Sequence, residues 1–277
     1  MYLKPKTLDE AVALLAPGGQ ILAGGTDFYP ALGDRLPQGR IVDISSITEM
    51  RGISANEDEF RIGGLITWTE VIRAPLPPVF DGLKAAAREV GSVQIQNRGT
   101  VAGNLCNASP AADGVPPLLA LDASVELVSG AGKRRIALAD FITGNRKTLR
   151  QPEEVLSAVL IPRAIENASS VFLKLGARRY LVISISMIAA VVAADGSGRI
   201  SAARIAVGSC SAKALRLATL ERDLVGTLLK PGIGDAVNAE HLSVLSPIDD
   251  VRATGAYRRD ASLTLIQRAL EACVRSR

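Results

Sequence analysis

Two short glycine-bearing segments, far apart in the chain, constrain it most. The first is Ala23-Gly24-Gly25-Thr26-Asp27, directly after the apolar pair Ile21-Leu22. The second is Thr100-Val101-Ala102-Gly103-Asn104-Leu105. Each presents bare backbone and one small hydroxyl beside apolar residues. Glycine lets backbone N–H groups approach anionic oxygens closely, and a threonine hydroxyl adds a donor. A diphosphate needs such surfaces. With Ser109-Pro110-Ala111-Ala112-Asp113 close behind the second segment, the pair reads as two loops clamping a dinucleotide.

The pattern around these segments is mixed. Thr7 to Ala16 reads as a short helix, with Leu8, Val12 and Leu15 at helical spacing and Thr7 as its cap; Pro17-Gly18-Gly19 stops it. Gln20 to Ala23 and Arg40 to Ile44 read as strands, so the first part is a small α/β unit. From Gly52 onward the pattern predicts a hairpin about Asn56 to Glu59, a helix capped by Thr67, a helix over 82–90 and another over 112–121. A second hairpin turns at Ser129 to Gly132; that turn lacks the spacing and the hydroxyl after Lys133 of a phosphate-binding P-loop. Arg163 to Ser170 reads as a linker. Beyond it lie three strand-like runs, Val171 to Lys174, Ile185 to Ala193 and Arg199 to Val207, the last two joined by Asp195-Gly196-Ser197-Gly198. A helix from about Ala212 and a last one over 261–274, with Leu263, Ile266, Leu270 and Val274 on one face, complete an α+β tail.

Composition removes several functions. Hydrophobic residues make up 48% and charged residues 22% of the 277 residues, enough for a sizeable core. The net charge of +4 is spread along the chain and aromatics are 4%, so there is no basic, stacking surface for nucleic acid. The 3 cysteines, Cys106, Cys210 and Cys273, are widely spaced; they form no disulfide framework, no Cys-x-x-Cys pair and no four-ligand set for a [2Fe-2S] cluster, and they fit a reducing cytoplasm. Cys106 reads as a small apolar filler. His241 is the single histidine, which leaves no zinc set and no Ser-His-Asp arrangement near the glycine segments. Metal chemistry is expected on another chain. The start of the sequence has no signal-peptide pattern, and the apolar stretch from Leu181 to Ala194 falls short of the roughly 20 residues of a membrane span. No Gly-x-Gly-x-x-Gly of a Rossmann unit is present.

Ala23 to Asp27, Thr100 to Leu105 and Ala108 to Asp113 together resemble the flavin-binding motifs of the FAD subunit of molybdenum hydroxylases, the family of the xanthine dehydrogenase FAD domain and the carbon monoxide dehydrogenase medium subunit. Leu149 to Pro162, Phe172 to Arg179 and Thr254 to Arg258 match further along, so the resemblance runs through the whole chain. It implies an α+β fold: a two-part FAD-binding domain of the vanillyl-alcohol oxidase type over 1–165, divided near residue 52, then a smaller α+β C-terminal domain over 170–277 with a three-stranded antiparallel sheet and helices. It also implies partners, a molybdopterin large subunit and a small subunit with [2Fe-2S] clusters. The chain would then collect electrons on FAD and pass them to an external acceptor such as NAD, quinone or oxygen. A stand-alone flavin oxidase with its own substrate pocket is the alternative.

The resemblance also assigns residues. Ala23, Gly24, Gly25, Thr26 and Asp27, with Thr100, Ala102, Gly103, Asn104 and Ser109, match the diphosphate and flavin contacts. Asp113 matches a position near the adenosine or ribityl portion, Leu156 one whose backbone meets the cofactor, and Lys174 a lysine close to the isoalloxazine, where a cation stabilises the reduced flavin. Each has a plainer reading: a tight turn for the glycines, a helix start for Asp113, core for Leu156, a solvated strand end for Lys174. The family usually has Gly-Gly before Asn in the second segment. Here Ala102 precedes Gly103, which is tolerable wherever that residue keeps a negative φ.

Overall fold

β1 (Tyr2–Leu3), α1 (Leu8–Leu15), β2 (Gln20–Leu22), α2 (Phe28–Leu32) and β3 (Ile41–Asp43) build the first unit of the computed structural model, which describes residues 1–165 and 167–275. The three strands form a parallel sheet in the order β1-β3-β2. β1 is too short to show in the apolar pattern. Thr7 caps α1 as its sequence suggests, its side chain accepting from the Glu10 amide at 3.2 Å. Leu8, Ala11, Val12 and Leu15 then face a small core shared with Val42, Ile47 and Met50.

The second unit starts with the hairpin β4 (Ile53–Ala55) and β5 (Glu59–Gly63). Helices α3 (Trp68–Arg73), α4 (Asp81–Glu89), α5 (Val93–Gln96), α6 (Val101–Asn107) and α7 (Val115–Ala120) follow. Then come β6 (Ser124–Ser129), β7 (Gly132–Ala137), α8 (Leu138–Phe141), the short hairpin β8 (Ile142–Gly144) and β9 (Lys147–Thr148), and β10 (Val155–Pro162). An antiparallel sheet runs β4-β5-β10-β6-β7. β10 sits at its centre, which is why 155–161 is buried throughout rather than alternating. Thr67 and Glu70 form a reciprocal capping box at the start of α3. Thr67→Ala is expected to lower stability by about 1 kcal/mol, read as a drop in the denaturant midpoint; an unchanged midpoint would show that the cap is idle.

The second glycine segment is helical rather than a loop, and this corrects the sequence reading. Thr100 is the cap of α6, its hydroxyl accepting from the Gly103 amide at 3.0 Å. A Thr followed by small and apolar residues is a helix start as readily as a phosphate loop. α7 also begins later than expected, at Val115, with Pro116 in its first turn, where a proline is tolerated.

The last unit holds β11 (Ser169–Leu175), β12 (Ser186–Ala194), β13 (Ile200–Gly208), β14 (Leu215–Arg216), α9 (Ala218–Leu224) and α10 (Gly255–Arg275). Its antiparallel sheet has the order β11-β12-β13-β14. The fourth strand replaces the expected three-stranded sheet: Leu215 and Arg216 pair with Val207 and Ala206, so the helix expected from about Ala212 starts only at Ala218. α10 starts six residues earlier than the apolar spacing indicates, at Gly255, because its first turn buries a polar residue, Arg258, which is 2% exposed. Glu166 in the expected linker, and Ser276 and Arg277, lie outside the described residues.

β12 explains how the units join. Met187, Ala189 and Val191 pack into the core of the second unit, with Leu118 and Phe80. Ile188, Ala190 and Val192 face the other way, against Ile266 and Leu270 of α10. Alternate residues point to opposite faces of a strand, so one continuous apolar run serves two cores. The last unit is therefore joined to the second along this strand.

Candidate functional site

The first glycine segment leaves β2 at Leu22 and crosses the chain before α6 at close range. A Cβ built on Gly24 would stand 2.7 Å from the Arg98 carbonyl carbon and overlap its oxygen. Only glycine allows this approach. Gly25 follows in the left-handed region at φ 77°, which turns the chain into α2. Opposite, a Cβ on Gly99 would stand 3.3 Å from the Thr26 hydroxyl oxygen. Two distant segments are thus packed back to back.

Beside this crossing lies a cleft of about 440 Å³. Ala23, Gly24, Gly25, Thr26 and Asp27 line one side, and Gly99, Thr100, Gly103, Asn104 and Asn107 the other, with Trp68, Val90 and Ile95 as its apolar part. A second cleft, of about 400 Å³, uses Ala23, Gly24 and Thr100 as a shared wall and is lined beyond them by Arg51, Thr69 and Arg98.

The donors in the cleft are of two kinds. Among the described residues, no protein acceptor takes the amides of Gly24, Gly25 or Thr26. The second segment differs: Val101 donates to Ile66 O at 2.9 Å, Asn104 to Thr100 O at 3.1 Å and Gly103 to the Thr100 hydroxyl at 3.0 Å. The Gly103 and Asn104 amides are therefore spent inside α6. What this side offers is a glycine surface without a side chain, the Thr100 O–H and the Asn104 amide group. Asn104 Oδ1 is buried and accepts no hydrogen bond. A buried polar atom without a partner is costly unless a ligand or water meets it. Free amides, a side-chain-free helix face and this orphaned acceptor all fit a diphosphate-linked cofactor.

The remaining predicted residues do not line this cleft. Ala102 is helical and 6% exposed, packed in the core on the other face of α6, so its methyl costs the cleft nothing. Leu156 is core on β10, 4% exposed. Ser109 lines a third cleft with Ser184 and Arg146. Asp113 and Lys174 form an ion pair of 2.8 Å where β11 meets the turn before α7, and Ser184 donates to the other Asp113 oxygen at 2.9 Å. Burial pushes the Asp113 carboxyl above its ordinary range, opposed by the Lys174 charge and by hydrogen bonds from Lys174 and Ser184. The Lys174 ammonium also reaches Glu89 O at 3.4 Å, one residue before Val90 in the cleft wall. Lys174 is thus no solvated strand end.

Sequence reasoning passed over Trp68, Val90, Asn107 and Arg146. None carries a local motif; they meet at the cleft only through tertiary folding. Cys106 does line the cleft. Burial pushes its thiol up to about 11, with Arg150 pulling the other way, so at neutral pH it is a thiol and no nucleophile. Among the described residues no group of His, Cys, Asp and Glu is placed to hold a metal ion, and no helix is long and apolar enough to cross a membrane.

Free amides in a cleft between a glycine turn and a capped helix fit the class of dinucleotide-binding proteins. Comparison with known proteins narrows the class. Residues 1–164 match the FAD binding domain in molybdopterin dehydrogenase, and 172–273 the CO dehydrogenase flavoprotein C-terminal domain. The chain belongs to this family, as an FAD-binding oxidoreductase subunit. It is 35% identical to the nicotinate dehydrogenase FAD-subunit of Eubacterium barkeri, over 82% of this chain and 80% of that one. It is 31% identical to the xanthine dehydrogenase FAD-binding subunit of Escherichia coli O157:H7, over 99% and 95%. Its structure is similar to carbon monoxide dehydrogenase from Hydrogenophaga pseudoflava, with a TM-score of 0.90 at 28% identity, covering 98% of this chain and 96% of that one.

Proposed function

We propose that this chain is the electron-transferring FAD subunit of a molybdenum hydroxylase complex, taking electrons from the [2Fe-2S] clusters of a small subunit whose donor is a molybdopterin large subunit. The observation that carries this is the pair of clefts sharing Ala23, Gly24 and Thr100 as a wall. Such a wall suits a cofactor whose two ring systems are joined by a diphosphate. The unpartnered amides of Gly24, Gly25 and Thr26 face the phosphates, and the Thr26 and Thr100 hydroxyls add donors. Gly103 admits the cofactor against α6, and Asn104 meets a polar edge. Asp27 also lines this cleft. Ser109, Asp113, Leu156 and Lys174 lie outside this cleft; Lys174 acts on its wall through the Glu89 carbonyl beside Val90.

Bound FAD supplies the ability to take electrons singly and release them as a pair. The chain's own residues bind, orient and shield it; none is needed as an acid, a base or a nucleophile. The wide spacing of its three cysteines, with no Cys-x-x-Cys pair, fits a cytoplasmic location, and the domain limits we assign are 1–165 and 170–277.

The test is direct. The purified chain is mixed with FAD, desalted and its visible spectrum recorded. Oxidised-flavin bands, released as FAD on denaturation, are the expected result. If neither the chain alone nor the chain co-purified with its partner subunits retains flavin, the reading is wrong. Turnover of a small alcohol by the isolated chain would mark a self-sufficient oxidase instead.

A further inference from the structure

Among the described residues that line the first cleft, Asp27 is the single acidic side chain and Arg146 the single basic one. The free amides there are dipoles without net charge. A bound diphosphate adds negative charge to that of Asp27, and Lys174 is already engaged by Asp113 outside the cleft. Arg146 is the positive charge of this cleft, while Arg51 and Arg98 line the second cleft beyond the shared wall.

Arg146 is an exposed side chain on a backbone held by its neighbours. Arg146 follows Asn145 in the turn between β8 and β9 and holds a left-handed backbone at φ 58°, rare for a residue that is not glycine. Its amide donates to Ala108 O at 2.9 Å, and its guanidinium donates to Asn107 Oδ1. An outlier backbone held by surrounding contacts is a pointer to function. These contacts place the guanidinium at the C-terminal end of α6, at the far end of the cleft face from Thr100.

We propose that Arg146 is a long-range counter-charge, acting from the first cleft, for the diphosphate of FAD; this rests on the FAD reading above. α6 has 7 residues, so its ends are about 10 Å apart. Across such a distance at a half-open surface, one charge acting on two is worth about tenfold in affinity at low ionic strength. The effect fades as the Debye length falls to about 3 Å near 1 M salt.

A purely structural Arg146, favourable only because a cation suits a helix C-terminus, predicts something different. The experiment compares Arg146→Gln, Arg146→Lys and the unaltered chain, titrating FAD and riboflavin by flavin fluorescence at low salt and at about 1 M salt. Arg146→Gln is expected to raise the Kd for FAD about tenfold at low salt, with the gap closing at high salt. Arg146→Lys should stay near the unaltered chain, and riboflavin, which lacks the phosphates, should bind all three alike. An unchanged FAD Kd in Arg146→Gln, a loss that salt does not diminish, or an equal loss for riboflavin overturns the proposal while leaving the FAD reading intact. Failure of the unaltered chain, alone and with its partners, to take up FAD would overturn both.

Discussion

Gly24→Ala is expected to weaken FAD binding by roughly a hundredfold, while the chain still folds. The added Cβ would overlap the Arg98 carbonyl oxygen and stand 3.1 Å from Gly99 Cα. Both are backbone atoms, so no side chain can swing aside. The turn must lift off the segment before α6, at a cost of about 3 kcal/mol, and 1.4 kcal/mol is a factor of ten in an equilibrium constant. The lifted turn carries the free amides of Gly24, Gly25 and Thr26 with it, so the loss falls on the cofactor. Two other substitutions separate this from general damage. Gly130→Ala has no heavy atom within 4 Å of the new methyl and should match the unaltered chain in both Kd and melting. Gly18→Ala also meets nothing within 4 Å, but its φ of 90° makes it strained; it should lose a little stability and keep its FAD affinity. The measurement is a flavin titration beside a thermal melt for each variant. If Gly24→Ala binds FAD as tightly as the unaltered chain, the close crossing does not shape the cofactor site.

The first glycine segment is legible in the sequence because its two demands are local: a bare Cα at Gly24 and a left-handed turn at Gly25, between a strand and a helix. The second is harder to read. Thr100 to Asn104 carries the same residue types, yet the Thr100 hydroxyl turns inward to the Gly103 amide and makes a helix cap. Ser, Thr, Asp and Asn serve caps and ligands with the same atoms, so only the folded chain tells them apart. In the last unit, apolar alternation reveals β11, β12 and β13 but hides β14, a two-residue edge strand too short to have a period. Arg258 hides the first turns of α10 for the opposite reason: a buried polar side chain breaks the apolar stripe and is satisfied by Ile185 O at 2.7 Å and Asp250 Oδ1 at 2.6 Å. The family resemblance placed Asp113 and Lys174 near one cofactor; the contact between them is a tertiary fact that no spacing encodes.

That contact supports the second large effect. Lys174→Met is expected to cost about 3–5 kcal/mol of stability at neutral pH. The side chains of Lys174 and Asp113 are 6% and 9% exposed, so removing the ammonium leaves a carboxylate with one hydroxyl partner, Ser184, and little water. The pH dependence follows from the direction of the Asp113 shift. Burial raises its pKa in the folded chain, and the Lys174 charge holds that rise back. Without Lys174 the folded pKa climbs further above the ordinary value of about 3.9. A carboxyl with a raised folded pKa favours the folded state below its unfolded pKa and loses that advantage as pH rises through the folded one. The stability gap between Lys174→Met and the unaltered chain should therefore be widest near pH 7 and narrow toward about pH 4. Lys174→Met combined with Asp113→Leu leaves no stranded charge and should recover much of the loss, because a buried pair exchanged for apolar groups is often nearly neutral. Denaturant melts of the two variants and the unaltered chain across this range decide it. A gap that stays constant with pH, or a double variant no better than Lys174→Met, would mean that packing rather than charge holds this junction. Because Asp113 precedes α7 and Lys174 lies on β11, the pair ties the last unit to the FAD-binding part, and through Glu89 O to the wall of the cleft. Loosening it should also change the visible spectrum of bound flavin, whereas a Thr7→Ala variant at the cap of α1, a residue that lines neither cleft, should leave that spectrum in place.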